Sequence, residues 1–259
     1  MLIAQISDLH VTAAGMRVAG VDTAATLARC IGCLASMDPQ PDVVLATGDL
    51  VESGSRAEYF RLRDVLAPLP VPLYVIPGNH DDRNALRVAF ADHAYIEPGN
   101  GPIRYVIDGY DLGLIALDTT VPRAEGGALD RAQLDWFEAA LQQMAHRAVL
   151  VFMHHPPIMT GIRCMDDIAL DAISAARLGA IVARSPQIER IVCGHVHRGI
   201  QARWHGTVVS ICPSTAFQGV LNLRGDAFDA ATDEPPAYQV HYWNGAELVT
   251  HTVAATARR

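Results

Sequence analysis

The sequence predicts a single α/β domain over residues 1–259. Short apolar runs alternate with longer stretches of helical periodicity through most of the chain, which argues against an all-helical or all-β fold. No linker, internal repeat or low-complexity tract divides them. With 259 residues, half of them apolar, the chain can bury a sizeable core without disulfide or metal staples.

Residues 2–7 form a short apolar run that reads as a buried strand ending in a loop. Residues 21–37 carry Val21, Leu27, Ile31 and Leu34 at helical spacing. Asp38-Pro39 closes that helix, because the residue before a proline is pushed out of the helical region. Residues 42–47 read as a strand, 55–66 as a helix, and 73–76 as a third strand halted by Pro77-Gly78. Strands at 112–117 and 148–153 flank a helix at 130–144, where Trp136, Phe137 and Leu141 are core at helical spacing rather than a base-stacking platform. A helix over 168–183 leads to a strand at 188–193.

The last third changes character. Runs at 201–204 and 208–211 flank His205-Gly206, and runs at 238–243 and 247–253 flank Asn244-Gly245. The Asn-Gly pair suits a type I′ hairpin turn. The polar, Gly-, Asp- and Pro-rich stretch 222–236 reads as a loop, a possible cap or oligomer contact.

Charge and composition exclude several functions. With 28 acidic and 20 basic residues and a net charge of −8, the chain lacks the basic face of a nucleic-acid binder. No window approaches the ~20 apolar residues of a membrane helix. The opening MLIAQISDLH has no basic n-region and turns acidic at Asp8, so no signal peptide is expected. Five cysteines without framework spacing fit a cytoplasmic protein. Cys30 and Cys33 lie inside a helical pattern with no nearby His to complete a zinc site, so they are expected as buried or half-buried thiols; Cys164 is the candidate for an intermolecular bond.

The chemistry sits where strands end. The first strand runs into Asp8-Leu9-His10, the second into Gly48-Asp49 with Glu52 beyond, and the third into Gly78-Asn79-His80-Asp81. Later strands deliver His154-His155-Pro156 and Gly194-His195-Val196-His197. Ligand sites of open α/β sheets lie outside the carboxyl ends of the strands. A lone His is usually core or surface, and a Gly-Asp after a strand is usually a turn, but five such elements on one sheet edge are not explained by turns. Imidazoles with carboxylate and amide oxygens, and no thiolate, suit Fe, Mn, Zn or Co. Seven such groups exceed one ion's needs and match two ions about 3.5–4 Å apart that share a carboxylate.

This ordered set resembles the binuclear calcineurin-like metallophosphoesterases. Within them it is similar to bacterial class III cyclic-nucleotide phosphodiesterases and related glycerophosphodiesterases. The resemblance covers residues 8–197 and implies a four-layer α/β/β/α sandwich, with members often dimers or larger. It implies that Asp8, His10, Asp49 and His197 bind one metal, and that Asp49, Asn79, His154 and His195 bind the other. His154 rather than His155 is the ligand in that pattern.

The expected reaction is metal-dependent hydrolysis of a small phosphodiester, a cyclic nucleotide or a glycerophosphodiester, by a hydroxide held between the metals. Two divalent ions and two aspartates leave the site at about +2, enough for an acidic protein to hold a phosphate. His80, beside Asn79 but outside the ligand set, would protonate or stabilise the leaving oxygen. Glu52, or alternatively Asp81, would orient its imidazole. The competing reading for Asp81 and Asp82 is a helix N-terminus. Arg17, His93, Arg163, Asp166, Asp167 and the loop 97–101 are expected at the solvated surface. Phosphomonoester hydrolysis is the near alternative. A non-catalytic scaffold would be expected to have lost ligands.

Overall fold

The structure is a computed structural model and describes residues 1–231 and 233–256. The chain runs β1 (Leu2–Ile6), α1 (Thr23–Ala35), β2 (Val43–Thr47), α2 (Arg56–Leu66), β3 (Leu73–Ile76), α3 (Arg83–Ala89), β4 (Tyr105–Ile107), β5 (Gly113–Ala116) and α4 (Arg131–Gln143). It continues through β6 (Val149–Phe152), α5 (Arg163–Asp166), α6 (Ala172–Val182), β7 (Ile188–Cys193), β8 (Ile200–Trp204) and β9 (Thr207–Ile211). It ends with β10 (Gln218–Gly219), β11 (Ala230–Ala231), β12 (Ala237–Trp243) and β13 (Leu248–Ala254).

Two sheets carry the fold, ordered β13-β12-β1-β2-β3 and β4-β5-β6-β7-β9-β8. Strands β1, β2 and β3 run parallel, as do β5, β6, β7 and β9, while β12, β13, β4 and β8 add antiparallel partners. Leu27, Ile31 and Leu34 of α1, Tyr59 and Leu62 of α2 and Leu86 of α3 share one core with β1–β3. Leu134, Phe137 and Leu141 of α4 and Leu178, Ile181 and Val182 of α6 share another with the outer face of the second sheet. Within β6 the faces alternate: Val149 and Val151 face those outer helices, whereas Leu150 and Phe152 join the other core. The result is helices, sheet, sheet, helices, the α/β/β/α order expected from the resemblance.

Helix starts follow local chemistry. Asp22, Asp82, Asp130 and Asp171 cap α1, α3, α4 and α6, and Ser55 with Glu58 forms a capping box on α2. The predicted helix over 168–183 is shorter at its start for this reason. The Asp171 carboxylate takes the N–H groups of Ile173 and Ser174, and Leu170 instead bridges to Gly127. Elements β4, α3, α5, β10 and β11 are too short to show a period, and β11 lies inside the predicted loop 222–236, of which Thr232 is outside the described residues. The 244–245 hairpin forms as predicted, but as a longer loop: Asn244 accepts from the N–H groups of Ala246 and Glu247. The tight left-handed pair is at His205-Gly206, with φ 46° and 95°. All five cysteines are free thiols, Cys30 buried and Cys33 half-buried.

Polar side chains stitch the two sheets together. Gln5 donates to Thr47 Oγ1 and the Cys193 carbonyl, and Gln239 binds Ser210 and the Ile211 carbonyl. His241, fully buried, lies 3.1 Å from Gln5 Oε1 and 2.8 Å from Thr250 Oγ1. Burial and the Arg190 guanidinium push its imidazole down from 6.5 to about 3. A folded pKa below the unfolded one means that the unfolded chain binds the extra proton, so stability is full above about pH 6.5 and falls as pH drops toward 3. One proton sets a slope of at most about 1.4 kcal/mol per pH unit. In urea unfolding, His241→Gln should therefore lose about 2 kcal/mol less than wild type between pH 6.5 and about 5. Equal losses would mean that the core accepts a charged imidazole.

Candidate metal centre

The parallel strands deliver the seven predicted donors to one place. Asp8 and His10 follow β1, Asp49 follows β2, Asn79 follows β3, His154 follows β6, and His195 and His197 follow β7. The two sheets are joined at that edge: the His195 N–H donates to Asp8 Oδ1 at 2.8 Å, and Ser214 Oγ donates to the Asp8 carbonyl at 2.8 Å. Five of the seven donors hold left-handed backbone, with φ of 52° at Asp8, 45° at His10, 48° at Asp49, 76° at His195 and 54° at His197. Each such residue costs roughly 1–2 kcal/mol, and strain of this kind concentrates where side chains are aimed for function. The centre is also too crowded for larger residues at Gly78 and Gly194, where a Cβ would run into Asp49 and Ser7 respectively.

Asp8, His10 and His197 form one cluster and Asp8, Asp49 and His154 another, the donor atoms of each lying within 4.8 Å. His10 Nε2 and His197 Nε2 face each other at 3.0 Å, about the edge expected between neighbouring ligands with bonds of ~2.1 Å. Asn79 Oδ1 lies 3.1 Å from both His154 Nε2 and His195 Nδ1, and Asp49 Oδ2 lies 3.3 Å from His154 Nε2.

The outer partners fix which nitrogen points inward. His154 Nδ1 donates to the Thr47 carbonyl at 2.8 Å, and His197 Nδ1 to the Phe217 carbonyl at 2.9 Å. His10 Nδ1 donates to Glu52 Oε2 at 2.7 Å. Carbonyls and carboxylates only accept, so in each ring Nδ1 carries a proton and Nε2 is the nitrogen turned toward the centre.

The site's charge also calls for a cation. Asp8 Oδ2 and His195 Nε2 are buried without a partner among the described residues. Burial lowers His154, but the Asp49 charge outweighs it and raises the imidazole to about 9. Asp49 is correspondingly held far below the usual carboxylate range, against its burial, chiefly by His154. His197 is pushed down to about 4 and His195 well below its ordinary value, both mainly by burial, which leaves neutral rings able to ligate. The residues present therefore fit a pair of divalent cations.

Around the donors, the roles divide differently from the sequence expectation. The Glu52 carboxylate goes to His10; His80 is held instead by the Glu52 backbone carbonyl, with Nδ1 donating at 2.8 Å. The Glu52 carboxylate stays 3.8 Å from that nitrogen. His80 is half-exposed, stacks edge-on to His10 at 4.7 Å and lines the cleft; it also shares a cluster with His10 and Asp49 whose donor atoms lie within 4.8 Å. Asp81 orients neither ring. Its carboxylate takes the N–H groups of Leu50 and Gly78 and the Tyr59 hydroxyl, bracing the two loops that carry Asp49 and Asn79, while Asp82 is the helix cap. His155 binds Thr119 Oγ1 and the Glu125 carbonyl, so both its nitrogens are engaged, although one lies within 4.8 Å of donor atoms of His154 and His195. Arg17 is exposed, Arg163 pairs with Asp226 on the surface, and His93 packs on Phe90 and Tyr95.

Above the donors opens a cleft of about 330 Å³. Val18, Met165, Ile168, Phe217 and Phe228 make its apolar wall, and Glu125 lies on its rim. None of these was legible in sequence, because they come from short or irregular segments far apart in the chain. A larger cavity of about 680 Å³ beside Arg87, Arg104 and Trp136 holds none of the donors. There Arg87 donates through Nε and Nη2 to the carbonyls of Glu97 and Gly101, while its Nη1 is buried without a partner among the described residues.

A sequence model of the calcineurin-like phosphoesterase family matches residues 1–199, which contain all seven donors and His80. The chain belongs to this family. Among its relatives in the family, it is 35% identical to the probable glycerophosphodiester phosphodiesterase GpdQ of Arcobacter nitrofigilis over 254 residues, covering 97% of this chain and 92% of that protein. It is 33% identical to the 3′,5′-cyclic adenosine monophosphate phosphodiesterase CpdA of Pseudomonas aeruginosa over 219 residues, covering 84% of this chain and 77% of that protein. The solved dimetal phosphatase of Danio rerio superposes with a TM-score of 0.70 at 16% identity, over 99% of this chain and 96% of that one. That likeness establishes the shared fold.

Proposed function

We propose that this protein is a metal-dependent hydrolase of small phosphodiesters. The observation that carries the reading is the convergence of seven donors, with the ring nitrogens opposite their outer hydrogen-bond partners turned inward, under a cleft that also holds His80. Asp8, His10, Asp49 and His197 would hold one cation, and Asp49, Asn79, His154 and His195 the other. Imidazole with carboxylate and amide oxygens suits Fe, Mn, Zn or Co. Bound there, such cations neutralise the phosphate oxygens and make water a competent nucleophile at neutral pH.

The chain's own groups complete the chemistry. Water oxygen adds to phosphorus, the ester P–O bond opens, and the alkoxide departs with a proton as an alcohol, leaving a phosphomonoester. His80, which lines the cleft, supplies or stabilises that proton; Glu52 keeps His10 oriented and its carbonyl keeps His80 in place. The site works as part of one domain, since Asp8, Asp49 and Asn79 come from one sheet and His154, His195 and His197 from the other.

A diester is favoured over a monoester because, among the described residues, no Arg or Lys lines the cleft to meet a second negative charge. Alignment over 97% of the chain with a glycerophosphodiester phosphodiesterase supports that diester class. Metal-reconstituted protein should hydrolyse bis-(4-nitrophenyl) phosphate and glycerophosphodiesters faster than 4-nitrophenyl phosphate. Faster turnover of the monoester would overturn the reading.

A further inference from the structure

One more parallel strand ends at the edge where the donors gather. Strand β5 runs out at Ala116, and two residues later comes Asp118. This residue has no exposed surface and belongs to none of the donor clusters among the described residues. Its carboxylate is nevertheless fully engaged. Oδ2 accepts from Arg83 Nε at 2.7 Å and from the Ile103 N–H at 2.8 Å. Oδ1 accepts from Arg83 Nη2 at 3.0 Å, and from the N–H and the hydroxyl of Thr120 at 2.9 and 2.7 Å. Arg83 Nη2 also donates to the Thr120 carbonyl at 2.7 Å. A guanidinium laid side-on to a carboxylate fixes orientation as well as distance.

Arg83 is the first residue of α3, three positions after His80. The segment between β3 and α3 is tied mainly to its own sheet. The His80 N–H goes to Asp49 and its Nδ1 to the Glu52 carbonyl, while Asp81 takes the Leu50 N–H and the Tyr59 hydroxyl. Two side chains cross to the second sheet. The Asn79 amide does so at the donors His154 and His195, and Arg83 does so at the end of β5. The far end of the Arg83 crossing is itself fastened. Thr119, beside Asp118, meets His155 Nδ1 at 2.8 Å and accepts the His155 N–H at 3.2 Å, next to the donor His154.

We propose that Arg83 and Asp118 are positioning residues for the reaction, holding the His80 loop at a fixed place against the second sheet while the leaving oxygen takes its proton. The proposal rests on the reading of His80 as the source of that proton, and deepens it. Neither residue lines the cleft, so both act through His80 rather than on substrate. Proton transfer demands hydrogen-bond reach, and a misplacement of about 1 Å can cost 10²-fold in rate. A loop held from one sheet can pivot about that sheet. Crossings at Asn79 and Arg83, on either side of His80, remove that freedom. Lysine would supply a point charge in place of the fork, and so would leave the pivot open.

The test uses metal-reconstituted protein and two diesters. Glycerophosphoglycerol must release its alcohol with a proton, whereas bis-(4-nitrophenyl) phosphate releases a stable phenolate. Arg83→Lys keeps the charge beside Asp118 but loses the fork. It should bind two metals and lower kcat on glycerophosphoglycerol by about 10–100-fold, with a smaller loss on the nitrophenyl ester. In a His80→Ala background the same substitution should lower kcat little further, because the ring it positions is gone. Asp118→Asn should behave alike, and serves if Arg83→Lys does not fold. An equal fold-loss in both backgrounds, an equal loss on both esters, or an unchanged kcat overturns the proposal and leaves the diesterase reading intact. Loss of metal from Arg83→Lys does so too, by making the pair a support of the metal centre. If His80→Ala alone loses as much on one ester as on the other, the role of His80 falls and the proposal with it. Hydrolysis of neither ester by wild type with two metals bound overturns the diesterase reading as well.

Discussion

Replacing Asp49 with alanine is expected to lower diester hydrolysis by at least about 10³-fold, because loss of Lewis-acid stabilisation is worth several kcal/mol of barrier. No other donor is so central. Asp49 Oδ2 lies 3.3 Å from His154 Nε2 and 3.7 Å from His10 Nε2, so one carboxylate faces rings from both sheets. Its other oxygen accepts the His80 N–H at 3.0 Å, which fixes the start of the Asn79-His80 loop. The substitution should also reduce bound metal, read by elemental analysis after dialysis. Asp49→Asn separates charge from packing: asparagine can keep the His80 hydrogen bond and tolerates the left-handed backbone at this position, but it carries no charge. It should lose metal and activity while melting close to the metal-free wild type. Full metal content and activity in Asp49→Asn would remove Asp49 from the residues proposed to hold the cations.

The convergence of these seven side chains was legible in sequence because the position of each follows from a strand end, and strand ends are local features. A run such as residues 73–76 followed by Pro77-Gly78 stops in a definite place, and the next residues must project from the sheet edge. The second layer was not legible for the same reason in reverse. Whether the Glu52 carboxylate reaches His10 or His80 depends on side-chain torsions and on the turn that brings residue 52 back beside residue 10, and the sequence holds no sign of either. Asp81 and Asp82 are neighbours with identical side chains, yet one braces two loops and the other caps α3. The cleft wall is harder still. Phe217 and Phe228 gain meaning only from a strap whose two paired strands are two residues each, too short for any periodicity. The four layers themselves came from the resemblance, since alternation alone gives α/β but no count of sheets.

Replacing His80 with alanine should lower kcat by about 10²–10⁴-fold, the range for losing a positioned acid or base, while two metals stay bound. Metal content separates this from a ligand's loss. His80 Nδ1 is engaged by the Glu52 carbonyl and its ring lines the cleft, but a ring nitrogen also lies within 4.8 Å of donor atoms of His10 and Asp49, so retention of both metals is the deciding readout. A substrate whose alcohol leaves without a proton should reveal the role: the deficit should shrink on a 4-nitrophenyl ester, whose phenolate is already a good leaving group, and be largest on an alkyl diester. Glu52→Gln provides the contrast. It removes the carboxylate behind His10 but keeps the backbone carbonyl behind His80, so it should weaken metal binding about 10–100-fold, as outer partners of ligating histidines do. Excess metal should then restore much of its rate, whereas none should restore His80→Ala. Were added metal to rescue His80→Ala as well, His80 would belong with the ligands, and the proton would have to come from elsewhere in the cleft.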